Sequence, residues 1–162
     1  MKIRTAIAAD LPSIDGIYNE AIEDGFKTAH IAPMSVKERK DWFRKFNDQY
    51  PLYVYEVDNE VLGWLSVSPY RKGRKALLET AEVSFYVARE ARGQGVGSAL
   101  LKHAINEAGR LNFHVYFAIL IETNKASISL LKKHGFDKWG YLPEVINIEG
   151  ERRGQFYYGK VL

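Results

Sequence analysis

Residues 82–98 read EVSFYVAREARGQGVGS, and the order of residue types in this stretch decides the reading of the whole chain. Alternation along a strand over Ala81–Ala88 puts Glu82, Ser84 and Tyr86 on one face and Val83, Phe85 and Val87 on the other. A short arginine-bearing turn follows, then glycines at 93, 95 and 97, then the start of a helix. Glycine has no Cβ, so its backbone lets a ligand come close, and the first N–H groups of a helix have no internal partner. Strand, Gly-rich loop and helix N-terminus in this order predict a cradle for a diphosphate.

Two common phosphate motifs do not fit. A Walker loop needs Gly-Lys-Ser/Thr, whereas this loop runs Gly97-Ser98-Ala99. A dinucleotide fingerprint begun at Gly93-x-Gly95 requires Gly or Ala where Ser98 stands.

Outward from the loop, Lys2–Ala6 reads as a strand. Asp10 is placed to cap a helix with Leu11, Ile14, Ile17, Tyr18, Ala21 and Ile22 at helical period. Ser35 and Glu38 form a capping box for a second helix running to about Asn47, with Val36, Trp42, Phe43 and Phe46 as its buried face. Leu52–Val57 and Val61–Val67 are strands joined at Asp58-Asn59. After Gly97 a helix runs to about Gly109, Val115–Ile121 is a buried strand, Asn124 caps a helix through Lys133, and two late strands follow. The expected fold class is α/β (α+β): one domain over 1–162 with a mixed, mainly antiparallel sheet.

Composition narrows the chemistry. With 162 residues and 46% apolar side chains, the chain can bury a core of its own, and with no Cys it has neither disulfides nor thiolate chemistry. Its four His (His30, His103, His114, His134) include no i, i+4 pair, so the expectation is no metal. The net charge of +3 is unevenly spread, −3 over residues 1–69 and +6 over 70–162, which suits an anionic ligand better than nucleic acid. The N-terminus lacks a signal-like apolar run and no stretch is long enough to span a membrane, so a cytoplasmic protein without a membrane partner is expected.

The spacing Arg92-x-x-Gly95-x-Gly97 resembles the acetyl-CoA pyrophosphate loop of the GNAT superfamily of N-acetyltransferases. Ile3-Arg4, Ile17-Tyr18-Asn19, Thr80-x-Glu82-x-Ser84-x-Tyr86-Val87, Asn124-x-Ala126-Ser127-Ile128 and Gly135-Phe136 are similar to the pattern of its phosphinothricin acetyltransferase branch, over nearly the full chain. The resemblance implies a sheet flanked by helices on both faces and a homodimer. It also implies acetyl-CoA as co-substrate, with its diphosphate on Arg92, Gly93, Gln94, Gly95, Val96, Gly97 and Ser98. Its pantetheine would lie along Phe85, Tyr86 and Val87 and beside Asn124. Five strand steps from Glu82 to Val87 span roughly 17 Å, comparable to an extended pantetheine arm. In this fold the strand and its parallel neighbour, Val115–Ile121, splay apart to admit the cofactor.

An amine is an ammonium at neutral pH and must lose a proton before attacking a thioester, so a base is needed. Glu82, on a strand whose other face is apolar, is the candidate, and the resemblance gives it the same role. The acceptor that the branch implies is the α-amine of a small amino-acid-like compound such as phosphinothricin or methionine sulfoximine. Protein N-termini, polyamines and aminoglycosides are alternatives, as is a non-catalytic acyl-CoA-binding module. The basic loop Tyr70–Lys75 reads as a solvated charge cluster or, following the branch, as the acceptor-site loop in which Arg71 or Arg74 holds a substrate carboxylate. Asn124 reads equally as an N-cap, and His134 as a helix-terminal residue. One departure stands out: many family members carry Tyr, and this branch often His, where this chain has Leu131, which cannot donate a proton to the leaving thiolate.

Overall fold

In the computed structural model, which describes residues 1–162, the chain runs β1 (Lys2–Thr5), α1 (Leu11–Glu23), α2 (Val36–Phe43), β2 (Leu52–Val57), β3 (Glu60–Pro69) and β4 (Thr80–Val87). It continues α3 (Val96–Glu107), β5 (Val115–Ile121), α4 (Lys125–Lys133), β6 (Asp137–Ile148) and β7 (Glu151–Val161). The seven strands form one sheet in the order β1-β2-β3-β4-β5-β7-β6. Every neighbouring pair is antiparallel except β4 with β5. This is the mixed, mainly antiparallel α+β arrangement expected. No helix is long and apolar enough to cross a membrane.

The hairpin between β2 and β3 turns on Asp58 and Asn59, both at positive φ (50° and 67°), a backbone that these two residue types tolerate. On β3, successive residues then serve opposite layers. Trp64 is 2% exposed and its Nε1 donates to the Ile14 carbonyl at 3.1 Å, tying α1 to one face. Gly63, one step away, turns to the other face, where a Cβ would lie 2.8 Å from Val96 and 3.3 Å from Leu100. The missing side chain is what lets α3 lie against the sheet. Helices therefore cover both faces, α1 on the Trp64 side and α3 on the Gly63 side.

Several local expectations shift. Asp10 stands at the start of α1, but its carboxylate does not cap that helix. It accepts from the Ile7 amide at 2.8 Å and from Arg4 at 2.7 and 2.8 Å. Arg4 also pairs with Glu56 on β2, so the acid is recruited to the β1–β2 edge by a cation that helical periodicity does not register. The capping box at Ser35 and Glu38 is present. Its helix, however, stops at Phe43 instead of Asn47, because the Asn47 side chain accepts from the Gln49 and Tyr50 amides and turns the chain. Val36 is 70% exposed, not buried; the buried residue of α2 is Arg39. The third helix starts at Val96, ahead of Gly97.

The Asp10 arrangement predicts a stability effect. Arg4 holds the nearly buried Asp10 carboxyl below the usual carboxylate range. A depressed pKa contributes stability that is present above the unfolded value of about 3.9 and lost as pH falls through the folded one. Asp10→Asn is expected to lower unfolding free energy by about 1–3 kcal/mol at pH 7, with the difference from wild type shrinking in acid. Urea titrations at pH 7 and pH 3 check this; equal losses at both would remove the ion pair as the cause.

Candidate active site

Backbone pairing sets the site. The parallel ladder between β4 and β5 contains only Thr80↔Val115, Ala81↔Tyr116 and Glu82↔Phe117. Beyond Glu82 the strands diverge, so the β4 edge from Val83 to Val87 has no β5 partner, while β3 still pairs its other edge. The gap is the mouth of a cleft of about 470 Å³ that runs past the α3 N-terminus and α4. Glu82 lies at the closed end of the split.

At the other end, the amides of Gly93, Gly95, Val96, Gly97 and Ser98 have no backbone or side-chain acceptor. Gly93 (φ +77°) and Gly95 (φ +87°) are left-handed, and a Cβ on either would point into open space, so no protein atom stands where a ligand would meet these amides. Gly97 differs. It is buried, and a Cβ there would lie 3.0 Å from Leu130 of α4, so its missing side chain serves helix packing. Substituting it would disturb the α3–α4 contact before any ligand contact.

The side chains of the loop behave less simply than its spacing suggests. Arg92 borders the cleft, yet its Nε donates to the Val87 carbonyl at 3.2 Å and its Nη1 to Asp24 at 2.5 Å. Gln94 turns back to the Glu90 carbonyl and does not line the cleft. Ser98 shares a 2.7 Å hydrogen bond with His134 Nε2. Burial, with help from Lys133, Lys102 and Lys160, pushes the His134 pKa down. The cleft cations without an ion-pair partner are Lys27 and Lys133. Local sequence marks neither, apart from the place of Lys133 in the last turn of α4. Unpaired amides flanked by free ammonium groups fit a diphosphate.

Phe85, Tyr86 and Val87 line the same cleft, as does Asn124. The Asn124 carbonyl oxygen accepts from the Ser127 amide at 3.3 Å, which is the expected N-cap, and its amide N–H₂ makes no hydrogen bond in the protein. Leu131 is fully buried against the cleft, so the position that would carry a proton donor is apolar.

Glu82 is partly buried, and burial alone raises its pKa. Its cross-strand neighbour is Ser68 on β3, and its ladder partner on β5 is Phe117, whose ring meets Tyr70 at 4.5 Å and stacks with Tyr157 at 6.0 Å. A carboxylate in this setting can take a proton from an incoming ammonium at near-neutral pH. Arg71 and Arg74 are exposed on the loop after β3, the Arg71 guanidinium lying over the Tyr70 ring at 5.4 Å, and neither lines the cleft.

The GNAT acetyltransferase family model matches residues 14–136. The L-methionine sulfoximine/L-methionine sulfone acetyltransferase of Pseudomonas aeruginosa is 35% identical over 145 residues, covering 88% of this chain and 84% of the relative. A ribosomal-protein-alanine N-acetyltransferase from Brucella melitensis superposes with a TM-score of 0.94 at 34% identity, over 100% of both chains. A phosphinothricin acetyltransferase from Sinorhizobium meliloti, solved with acetyl-CoA, gives a TM-score of 0.92 at 30% identity, over 99% of this chain and 88% of that one.

Proposed function

The chain belongs to the GNAT acetyltransferase family and is an acetyl-CoA-dependent N-acetyltransferase, and from that premise we propose that it acetylates the α-amine of a small amino-acid-like acceptor by direct transfer. The acceptor class is that of phosphinothricin and methionine sulfoximine. The observation that carries this reading is the end of the β4–β5 ladder at Glu82, which sets one carboxylate in the last paired row before a cleft whose lining begins at Val83 and whose outer end is a rank of free amides.

Bound in the cleft, acetyl-CoA supplies an activated acetyl thioester. The chain's own residues do the rest. Amides of Gly93, Gly95, Val96, Gly97 and Ser98 with Lys27 and Lys133 hold the diphosphate, and the free β4 edge aligns the pantetheine amides as an added strand would. Backbone N–H groups near Glu82 polarise the thioester carbonyl, and Glu82 takes the ammonium proton. With no Cys in the chain, no cysteine carries the acetyl group. Leu131 leaves the thiolate, a fair leaving group, to depart without a side-chain donor. Arg71 and Arg74 stand on the loop that begins just after the Pro69↔Ala81 pair, one step from Glu82, and there they draw an anionic acceptor toward the base. A cytoplasmic homodimer is part of the same reading; it would cover the exposed Trp139, Tyr141 and Val145 of β6.

Thiol release measured with acetyl-CoA and a panel of amines tests the reading. The expected result is turnover with amino acids bearing a tetrahedral phosphinate, sulfone or sulfoximine group. Efficient acetylation of peptides with inert amino acids would transfer the assignment to protein N-termini. No turnover with any amine, but tight acyl-CoA binding, would favour a non-catalytic module, the alternative that Leu131 supports.

A further inference from the structure

A second cavity, of about 160 Å³, lies on the Glu82 face of the sheet, bounded by α1, α2, β3 and β4. Cross-strand register places its wall. Ser68 pairs with Glu82, Ser66 with Ser84 and Trp64 with Tyr86, three rows spaced about 6.8 Å apart on the strands. Ser68, Ser66, Ser84, Trp64 and Tyr86 all line it, so the cavity begins in the row of the candidate base and runs inward. Tyr86 and Ser84 also line the cofactor cleft, which makes the two spaces neighbours across one strand.

The cavity contains a cation. Arg39 is 3% exposed, its Nε donates to Asp15 at 2.8 Å, and its guanidinium carbon sits 4.8 Å from the Trp42 ring centre and 5.0 Å from that of Tyr18. Its Nη2 is buried with no hydrogen-bond partner. Guanidinium has five N–H donors in a fixed fork, and a buried donor left unmade bears its full desolvation penalty. One carboxylate and two aromatic faces hold the group; Nη2 is sealed from solvent, and Nη1, which has no acceptor in the protein, is the donor left to a ligand.

Resting on the acetyltransferase reading above, we propose that this cavity is the acceptor side-chain subsite and that Arg39 donates to an oxygen at the end of that side chain. The shared chemistry is a terminal P–O or S–O oxygen, anionic in a phosphinate and neutral in a sulfone or sulfoximine. Asp15 offsets the guanidinium charge, so the site selects a hydrogen-bond acceptor as well as an anion. Met34, Trp42 and Phe46 supply apolar wall for the methylene and methyl groups beside that oxygen. The cavity of about 160 Å³ is small, as a side-chain subsite requires. Arg39 is thus a specificity-determining residue, and the α-amine of a substrate seated here lies in the row of Glu82.

Methionine sulfone and methionine, which differ only in the two sulfur oxygens, are the probes, with phosphinothricin as the anionic arm. Wild type is expected to favour sulfone and phosphinothricin over methionine by about 10- to 100-fold in kcat/KM. Arg39→Met is expected to erase both preferences through KM while acetyl-CoA affinity stays within about twofold. Arg39→Lys, which keeps charge without the fork, should recover part of the phosphinothricin preference only. A folded Arg39→Met enzyme that retains both preferences overturns the subsite. Should that variant not fold, Arg39→Met with Asp15→Leu removes both partners of the buried pair and takes its place. A crystal of the wild type with CoA and methionine sulfone is expected to show a sulfone oxygen within about 3.2 Å of the guanidinium, and a sulfone seated elsewhere overturns the proposal. Turnover of amino acids with unchanged preferences defeats this inference alone, whereas no turnover of any amino acid defeats the parent reading and this one with it.

Discussion

Glu82→Gln is expected to lower kcat/KM by about 10²–10⁴-fold at neutral pH while acetyl-CoA still binds, because the amide is nearly isosteric and cannot accept the ammonium proton. The pH dependence separates a base from a positioning group. Wild-type activity should rise with pH as the Glu82 carboxyl ionises, above the ordinary glutamate range because burial raises its pKa. The mutant deficit should shrink as pH rises further, since the acceptor then arrives deprotonated. A deficit constant with pH would make Glu82 a positioning residue, and activity within about twofold of wild type throughout would remove it from the chemistry. Stability moves the opposite way. A carboxyl whose folded pKa lies above its unfolded value of about 4.3 favours the folded state when protonated, and that contribution is lost as pH rises through the folded pKa. Glu82→Gln should therefore be more stable than wild type at pH 7 and equal to it below about pH 4. Activity lost and stability gained by one substitution would mark a desolvated catalytic carboxylate.

Gly95→Val is expected to weaken acetyl-CoA binding by about 10- to 100-fold, the scale of losing one or two hydrogen bonds to a charged group. Gly95 precedes α3 at φ +87°, where an L side chain is strained, and its Cβ would enter open space beside unpaired amides. The fold should survive, because no protein atom lies within 4 Å of that Cβ. Gly97→Val is the contrast. Its Cβ would stand 3.0 Å from Leu130, so this variant should lose stability as well as affinity. Calorimetric titration with acetyl-CoA and a thermal melt on each variant read both quantities. A folded Gly95→Val protein with unchanged affinity would move the diphosphate off this loop.

Much of the architecture was legible because its causes are local. Asp58-Asn59 tolerate the backbone of a two-residue hairpin, Ser35 and Glu38 satisfy each other's amides, and Gly135 at φ +77° ends α4 just after the cap at Asn124 has begun it. The strand, glycines and helix start of residues 81–98 place free amides beside a strand through the chain's own stereochemistry, so a loop suited to an anionic ligand was legible in the sequence. Identity with the family pattern extended the reading to Glu82 and acetyl-CoA.

Other features rest on partners far apart in sequence. Asp24 on one side and Val87 on the other engage Arg92, a residue that spacing alone assigns to the ligand. Leu130 makes Gly97 a packing glycine, although the motif treats it like Gly95. Arg39 sits in a polar helical stretch whose pattern marks it as a surface residue, and only the approach of Asp15, Tyr18 and Trp42 buries it. Lys27 and Lys133 reach the cleft from segments more than a hundred residues apart in sequence. The sequence by itself determined which backbone conformations and amides would be available, since those follow from φ, ψ and Cβ at each residue. Only the tertiary structure decided where β4 and β5 part and which charges remain unpaired, because strand divergence and desolvation depend on atoms brought together across the whole chain.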